Sequence, residues 1–66
     1  MENRSCYGQA FRQLRLDRGY SLKEAAGNII SPQMLGVFEH GKSGISLNNF
    51  GRLLIRIGAT WNDFFR

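Results

Sequence analysis

Apolar residues recur along this chain at helical spacing, in short runs separated by glycine, serine and proline. Tyr7, Phe11 and Leu14, with Ala10 beside them, line one face of a first helix running to about Arg18. Gly19 stops it in the left-handed conformation that glycine tolerates. The run SLKE at 21–24 reads as a capping box, in which Ser21 caps a free backbone N–H and Glu24 reaches back. Leu22, Ala25, Ala26 and Ile29 then fall at i, i+3, i+4 and i+7 and predict a second helix, its alanines small enough for close helix approach. Ser31-Pro32 starts a third, with serine as N-cap and proline in the first turn. Leu35 and Phe38 share its face and Gly41 ends it, before a loop at 42–45. Ser46 caps a fourth helix with the stripe Leu47, Phe50, Leu54 and Ile57, and Leu53 adjacent; Gly58 ends it. Thr60 opens a last capped turn in which Trp61, Phe64 and Phe65 share a face. No run alternates with period two, so no sheet is expected. The prediction is an all-α domain of five short helices over residues 7–66, preceded by a polar, disordered segment at 1–6. Its core would hold Phe11, Leu14, Leu22, Ala26, Leu35, Phe38, Phe50 and Leu54.

The tightest joint lies between the second and third helices, where Asn28, Ile29 and Ile30 leave little chain before Ser31. Such a joint makes two helices cross steeply, as in a helix-turn-helix that presents its second helix to a DNA groove. Sixty-six residues allow one domain with one small core. The formal net charge of +4 suits phosphate backbones, acidic proteins or anionic membranes. The basic residues are spread along the chain, which argues against a lipid-binding tail, and no apolar run approaches membrane-spanning length. Cys6 is the only cysteine, so there is no internal disulfide, and a lone thiol suits a reducing compartment such as the cytoplasm. Cys6 and His40 are too few soft ligands for zinc. The Asn3-Arg4-Ser5 sequon comes with no signal segment and is read as chance.

From Ser31 onward the run SPQMLGVFEHGKSGIS resembles the recognition helix and following loop of the phage-repressor, or Cro-like (xenobiotic-response-element type), helix-turn-helix family. FRQLRLDRGYSLKEAA resembles that family's first two helices. The closest similarity is to the N-terminal domain of the Rgg group of regulators, carried by YSLKE, FEHG, Ile45-Ser46, Phe50, Leu53-Leu54, Ile57-Gly58 and the aromatic-rich end from Trp61 to Phe65. The resemblance spans nearly the whole chain; its order and spacing are specific, its single motifs are not. It implies a phage-repressor-like fold and the DNA-binding domain of a bacterial transcriptional regulator. It also implies a homodimer on a pseudo-palindromic operator. The peptide-binding effector domain that follows this region in the Rgg group is absent from the chain. The sequence departs from the family in three places: the turn into the third helix is one residue shorter than in phage repressors and lacks their glycine, as in the Rgg group, and two further sites differ in residue type. Leu22 stands where a phosphate-contacting glutamine is usual, and Gly36 and Val37 stand where the middle of the recognition helix is usually polar or basic.

The recognition helix would cover about residues 31–40 and enter the major groove. With Leu35 and Phe38 inward, the outer face carries Pro32, Gln33, Gly36 and Val37, with Met34 at its edge. Gln33, Met34 and Val37 are the base-contact candidates. A glutamine amide donates and accepts together, as an adenine edge requires, and the two apolar side chains suit a thymine methyl. For Met34, partial core packing is an equal alternative. Phosphate contacts are expected around the caps and loop, from Ser21, Lys23, Ser31, Lys42, Ser43, Asn48 and Asn49, with Arg12 a weaker candidate. Arg52 and Arg56 read as a solvated outer face. By the resemblance, Arg15 and Glu39 form an ion pair between the first and third helices and belong to architecture.

GVFEHGKS at 36–43 matches the phosphate-loop pattern literally, but that loop must follow a buried strand and lead into a helix. Here it would complete an amphipathic helix and then meet Gly44. One histidine, one cysteine and no paired carboxylates beside a nucleophile give no catalytic constellation, so no enzyme, cofactor or metal is expected. The rival reading is a protein-binding helix-turn-helix domain, since Gly36 and Val37 leave the exposed face poor in donors. Trp61, Phe64 and Phe65 give the chain end surplus apolar area, which suits a weak homodimer; full burial of the rings in a monomer is the alternative.

Overall fold

A computed structural model describes the backbone of residues 4–64 and the side chains of 7–60, 62 and 63. The elements are α1 (Arg4–Asp17), α2 (Leu22–Ala26), α3 (Pro32–Glu39), α4 (Leu47–Arg56) and the terminal turn α5 (Trp61–Phe64). There is no strand among the described residues. The fifth element is a single four-residue turn, so the predicted five-helix domain is four helices closed by one helical turn.

Serine and glycine set the boundaries. The hydroxyls of Ser21, Ser31 and Ser46 accept from the backbone N–H three residues on, at Glu24, Met34 and Asn49. Thr60 Oγ1 does the same for Asp63, whose Oδ2 in turn accepts from the Thr60 N–H. At the other ends, α1, α3 and α4 close with one hydrogen-bond pattern around Gly19, Gly41 and Gly58, all at φ near +77°. After α3, the Lys42 N–H reaches the Val37 carbonyl at 3.1 Å and the Gly41 N–H the Phe38 carbonyl at 2.9 Å. This satisfies carbonyls that a helix end leaves open, and needs a left-handed residue between them.

Two predicted boundaries move. The helix α1 starts at Arg4, so Arg4, Ser5 and Cys6 are helical where a loose segment was expected; Met1–Asn3 lie outside the described residues. A first turn with no apolar face leaves no period to detect, and no proline or glycine stops it. The helix α2 ends at Ala26, not near Ile29. Gly27 takes φ +50° and its N–H bonds the Lys23 carbonyl, which turns the chain early. Ile29 then packs half-buried on the core from the turn rather than from a helix.

The core is an aromatic triangle with one ring from each long helix. Phe11, Phe38 and Phe50 have centroids 5.8–6.4 Å apart and tilted planes, within the range in which aromatic pairs add to area burial. Ala25, Ala26, Leu35, Leu53, Leu54, Ile57 and Ala59 complete it. Leu14 and Leu22, expected inside, are half-buried against it. Leu47 is a clear correction: as the first residue of α4 it lies before the helix meets the core and is 73% exposed. Tyr7, expected on the inner stripe, is also exposed.

The α1–α3 crossing is fixed by Gly8. A Cβ there would stand 2.0 Å from the Phe38 carbonyl oxygen, so only glycine lets the helices approach this closely. Beside it, Arg15 and Glu39, both buried, join α1 to α3: Nε to Oε2 at 2.8 Å and Nη2 to Oε1 at 2.9 Å. Arg15 Nη1 also donates to the Tyr20 carbonyl at 2.9 Å. A buried fork-to-fork pair with its remaining donor satisfied offsets the desolvation of both charges.

Candidate nucleic-acid interface

The helices α2 and α3 pack on each other across the turn at 27–30, with the inner face of α3 held by α1. That fixes which part of α3 faces solvent. Leu35, Phe38 and Glu39 point inward. Pro32, Gln33, Met34 and Val37 point outward, with Met34 48% and Val37 37% exposed. The three base-contact candidates therefore share one open face, and Met34 sides with solvent rather than the core. Gly36 is half-buried beneath α2: a Cβ there would meet Leu22 Cδ1 at 3.7 Å, an ordinary contact. Leu22 leans onto the core at the position where the family resemblance places a phosphate-contacting glutamine.

The cap residues are exposed but partly committed. Ser21 accepts from the Glu24 N–H, and the Ser21 N–H donates to Glu24 Oε1 at 2.9 Å. Ser31 and Ser46 accept in the same way. Each hydroxyl serves its helix as an acceptor and keeps its own proton to donate outward. Beyond the caps, the amides of Lys23, Gln33, Leu47 and Asn48 belong to first turns, where no helical carbonyl is available. Their partial positive charge suits an anion. Lys23 and Lys42 are exposed, as is Asn48; Asn49 is half-buried. Ser43 is half-buried and donates to the Gly44 carbonyl at 3.2 Å. Arg12 is exposed on α1, one position round from the face that packs on α3, and no bond joins it to the other candidates among the described residues.

Three polar side chains are tied back to the fold in ways the sequence did not announce. Arg56 Nε donates to the Glu24 carbonyl at 2.9 Å, so this arginine, expected on a solvated face, links α4 to the end of α2. Arg18 pairs with Asp63 at 3.3 Å. His40 Nδ1 lies 2.8 Å from the Gly36 carbonyl, which engages the ring at the end of α3. Glu24 has its carboxyl held below the ordinary value, first by the Ser21 amide, then by the Ser21 hydroxyl, with the Arg56 charge adding.

Among the described residues, no group of three His, Cys, Asp or Glu could hold a metal, and no helix is long and apolar enough to cross a membrane. The side chains of Trp61 and Phe64, and all of Phe65, lie outside the described residues, and with them the aromatic patch expected at the chain end.

Comparison with protein-family models gives no match. Comparison with the curated proteins gives none either. Among solved structures, the crystal structure of the clp gene regulator ClgR from C. glutamicum superposes with a TM-score of 0.85 at 31% sequence identity. The match covers 92% of this chain and 80% of that one.

Proposed function

The chain belongs to the helix-turn-helix gene regulators of Cro/C1-like fold, and on that premise we propose that it is the DNA-binding unit of a bacterial transcriptional regulator. The observation that carries this is the outer face of α3. It stands open between the Ser31 cap and the Lys42 loop, on a helix fixed by the Arg15–Glu39 pair and the Gly8 crossing. The binding unit takes in residues 7–66 together with the first turn of α1 at 4–6, and its role is binding rather than catalysis. The helix over about 31–40 lies in the major groove, with Gln33, Met34 and Val37 toward base edges. Ser21, Lys23, Ser31, Lys42, Ser43, Asn48, Asn49 and, at the margin, Arg12 meet phosphates. Two copies on a palindromic site would place their recognition helices one DNA turn apart, about 34 Å. The order of YSLKE, FEHG and the Ile45-Ser46 to Ile57-Gly58 runs supports an Rgg-like regulator, and the single cysteine, Cys6, suits the cytoplasm.

The test is fluorescence anisotropy with random-sequence duplex across a salt series. With roughly six phosphate contacts per half-site, affinity falls steeply as salt rises. Replacing Lys42 by Ala weakens binding to every sequence alike and lowers the salt slope by about one. A flat salt dependence would favour instead a protein partner docked on the apolar side chains of Met34 and Val37, the second reading this face supports.

A further inference from the structure

The outer face of α3 is unusual in what it lacks. Reading a G·C pair in the major groove calls for Arg or Lys at guanine O6 and N7, or Asp or Glu at cytosine N4. The helix is PQMLGVFE, and its single charged residue, Glu39, is buried with both carboxylate oxygens held by Arg15. The hydroxyl of Ser31 accepts from the Met34 N–H and, on the reading above, turns its proton to a phosphate; the His40 ring sits on the Gly36 carbonyl. Lys42 lies past the C-terminal end of α3, whereas base edges are reached from the N-terminal part of a recognition helix. What faces outward is one amide, Gln33, and the apolar side chains of Pro32, Met34 and Val37.

Resting on the DNA-binding reading above, we propose that α3 selects an A·T-rich half-site chiefly through thymine 5-methyl groups. Met34 and Val37 pack on the methyls of neighbouring base pairs, and Gln33 bonds an adenine edge. The spacing fits, because residues three apart rise about 4.5 Å along a helix, close to the separation of about 3.4 Å between successive bases on a strand. The chemistry fits as well. A thioether adapts to an irregular apolar contact, and a face of this kind gains by burying methyl groups rather than by forming hydrogen bonds.

The experiment begins with selection of tight-binding duplexes from a random library by the intact chain. Each thymine of the selected site is then replaced by uracil, which removes the 5-methyl group and leaves charge and base pairing unchanged. We expect selected half-sites dominated by A·T pairs, with one or two thymines whose replacement weakens binding about fourfold, the loss for one buried methyl. Against the V37A or M34A protein, one of those positions no longer distinguishes thymine from uracil. Both side chains are exposed, so thermal melting of the variants serves as the folding control. A G·C-rich selected site, or uracil tolerated at every position, overturns the proposal while salt-dependent duplex binding still stands. Failure to bind any duplex at low salt overturns both readings.

Discussion

On its inner face, α3 presents Leu35, Phe38 and Glu39, each with a partner fixed by geometry: the apolar core, two phenylalanine rings, and the guanidinium of Arg15. On its outer face, Pro32, Gln33, Met34 and Val37 are exposed, and their side chains hold nothing that the fold requires. The same eight residues thus carry two separate duties. Packing dictates the first set almost completely, because an interior near crystal density leaves no freedom of volume. It says nothing about the second, so the chemistry of the outer face is available to a ligand. This is also why Val37 can depart from a polar pattern without harm to the fold, whereas Gly36 sits half-buried beneath α2.

The sharpest way to break this comparison is to truncate neighbours on opposite faces. Phe38→Ala removes one ring of the aromatic triangle and should cost about 3–5 kcal/mol, a large share of what holds so small a domain together. Val37→Ala, one residue away, should change stability by about 0.5 kcal/mol or less. Urea unfolding of the two variants gives the answer. Equal losses would mean that α3 is rotated so that Val37 shares the core with Phe38.

Two glycines make a second pair of opposites. A Cβ on Gly8 would collide with the Phe38 carbonyl, which is backbone and cannot swing aside. Gly8→Ala should therefore destabilise by roughly 1–3 kcal/mol or more, as overpacking does, by prising α1 from α3. At Gly36 a Cβ meets only Leu22 Cδ1 at 3.7 Å, and helical φ suits alanine. Gly36→Ala should stabilise by about 1 kcal/mol through helix propensity. Opposite signs in thermal melts are the expected result; a loss at both positions would show that α2 lies closer to α3 than 3.7 Å allows.

These two glycines also mark what the sequence could and could not disclose. Helix starts at Ser21, Ser31, Ser46 and Thr60, and ends at Gly19, Gly41 and Gly58, are local chemistry, and local chemistry is written in neighbouring residues. The three core phenylalanines follow from helical period alone. The Arg15–Glu39 pair spans 24 positions and was legible only through family resemblance. Gly8 carried no signal, because a glycine inside a helix reads as a small penalty until the backbone it touches is known. Arg56 on the Glu24 carbonyl was hidden for the same reason: its partner is a main-chain atom, which no residue type reveals. Leu47 misled because period assigns a face but cannot say that the first turn of α4 projects beyond the core.

The smallest expected effect separates the two N-termini of the helix-turn-helix unit. The Ser31 cap stands alone, with no acid in the first turn of α3, whereas Ser21 is joined by Glu24 in a reciprocal box. The Glu24 carboxyl is held below its ordinary value, chiefly by the Ser21 amide. A group whose folded value is depressed adds stability that is complete above its unfolded value. That contribution drains away as pH falls through the lowered folded value. Glu24→Gln keeps the shape of the box but removes the charge. Its thermal midpoint should track the parent's at neutral pH with a small constant offset, and the gap should narrow on acidification through that window. The remaining carboxylates, Glu39 and Asp63 among them, are present in both proteins and cancel in the difference. Lysine at position 24 would go further, placing positive charge where the helix already carries a partial positive charge, and its deficit should persist at acid pH. A parent–Glu24→Gln gap independent of pH would mean that the box acts through its hydrogen bonds alone, leaving α2 and α3 capped on equal terms.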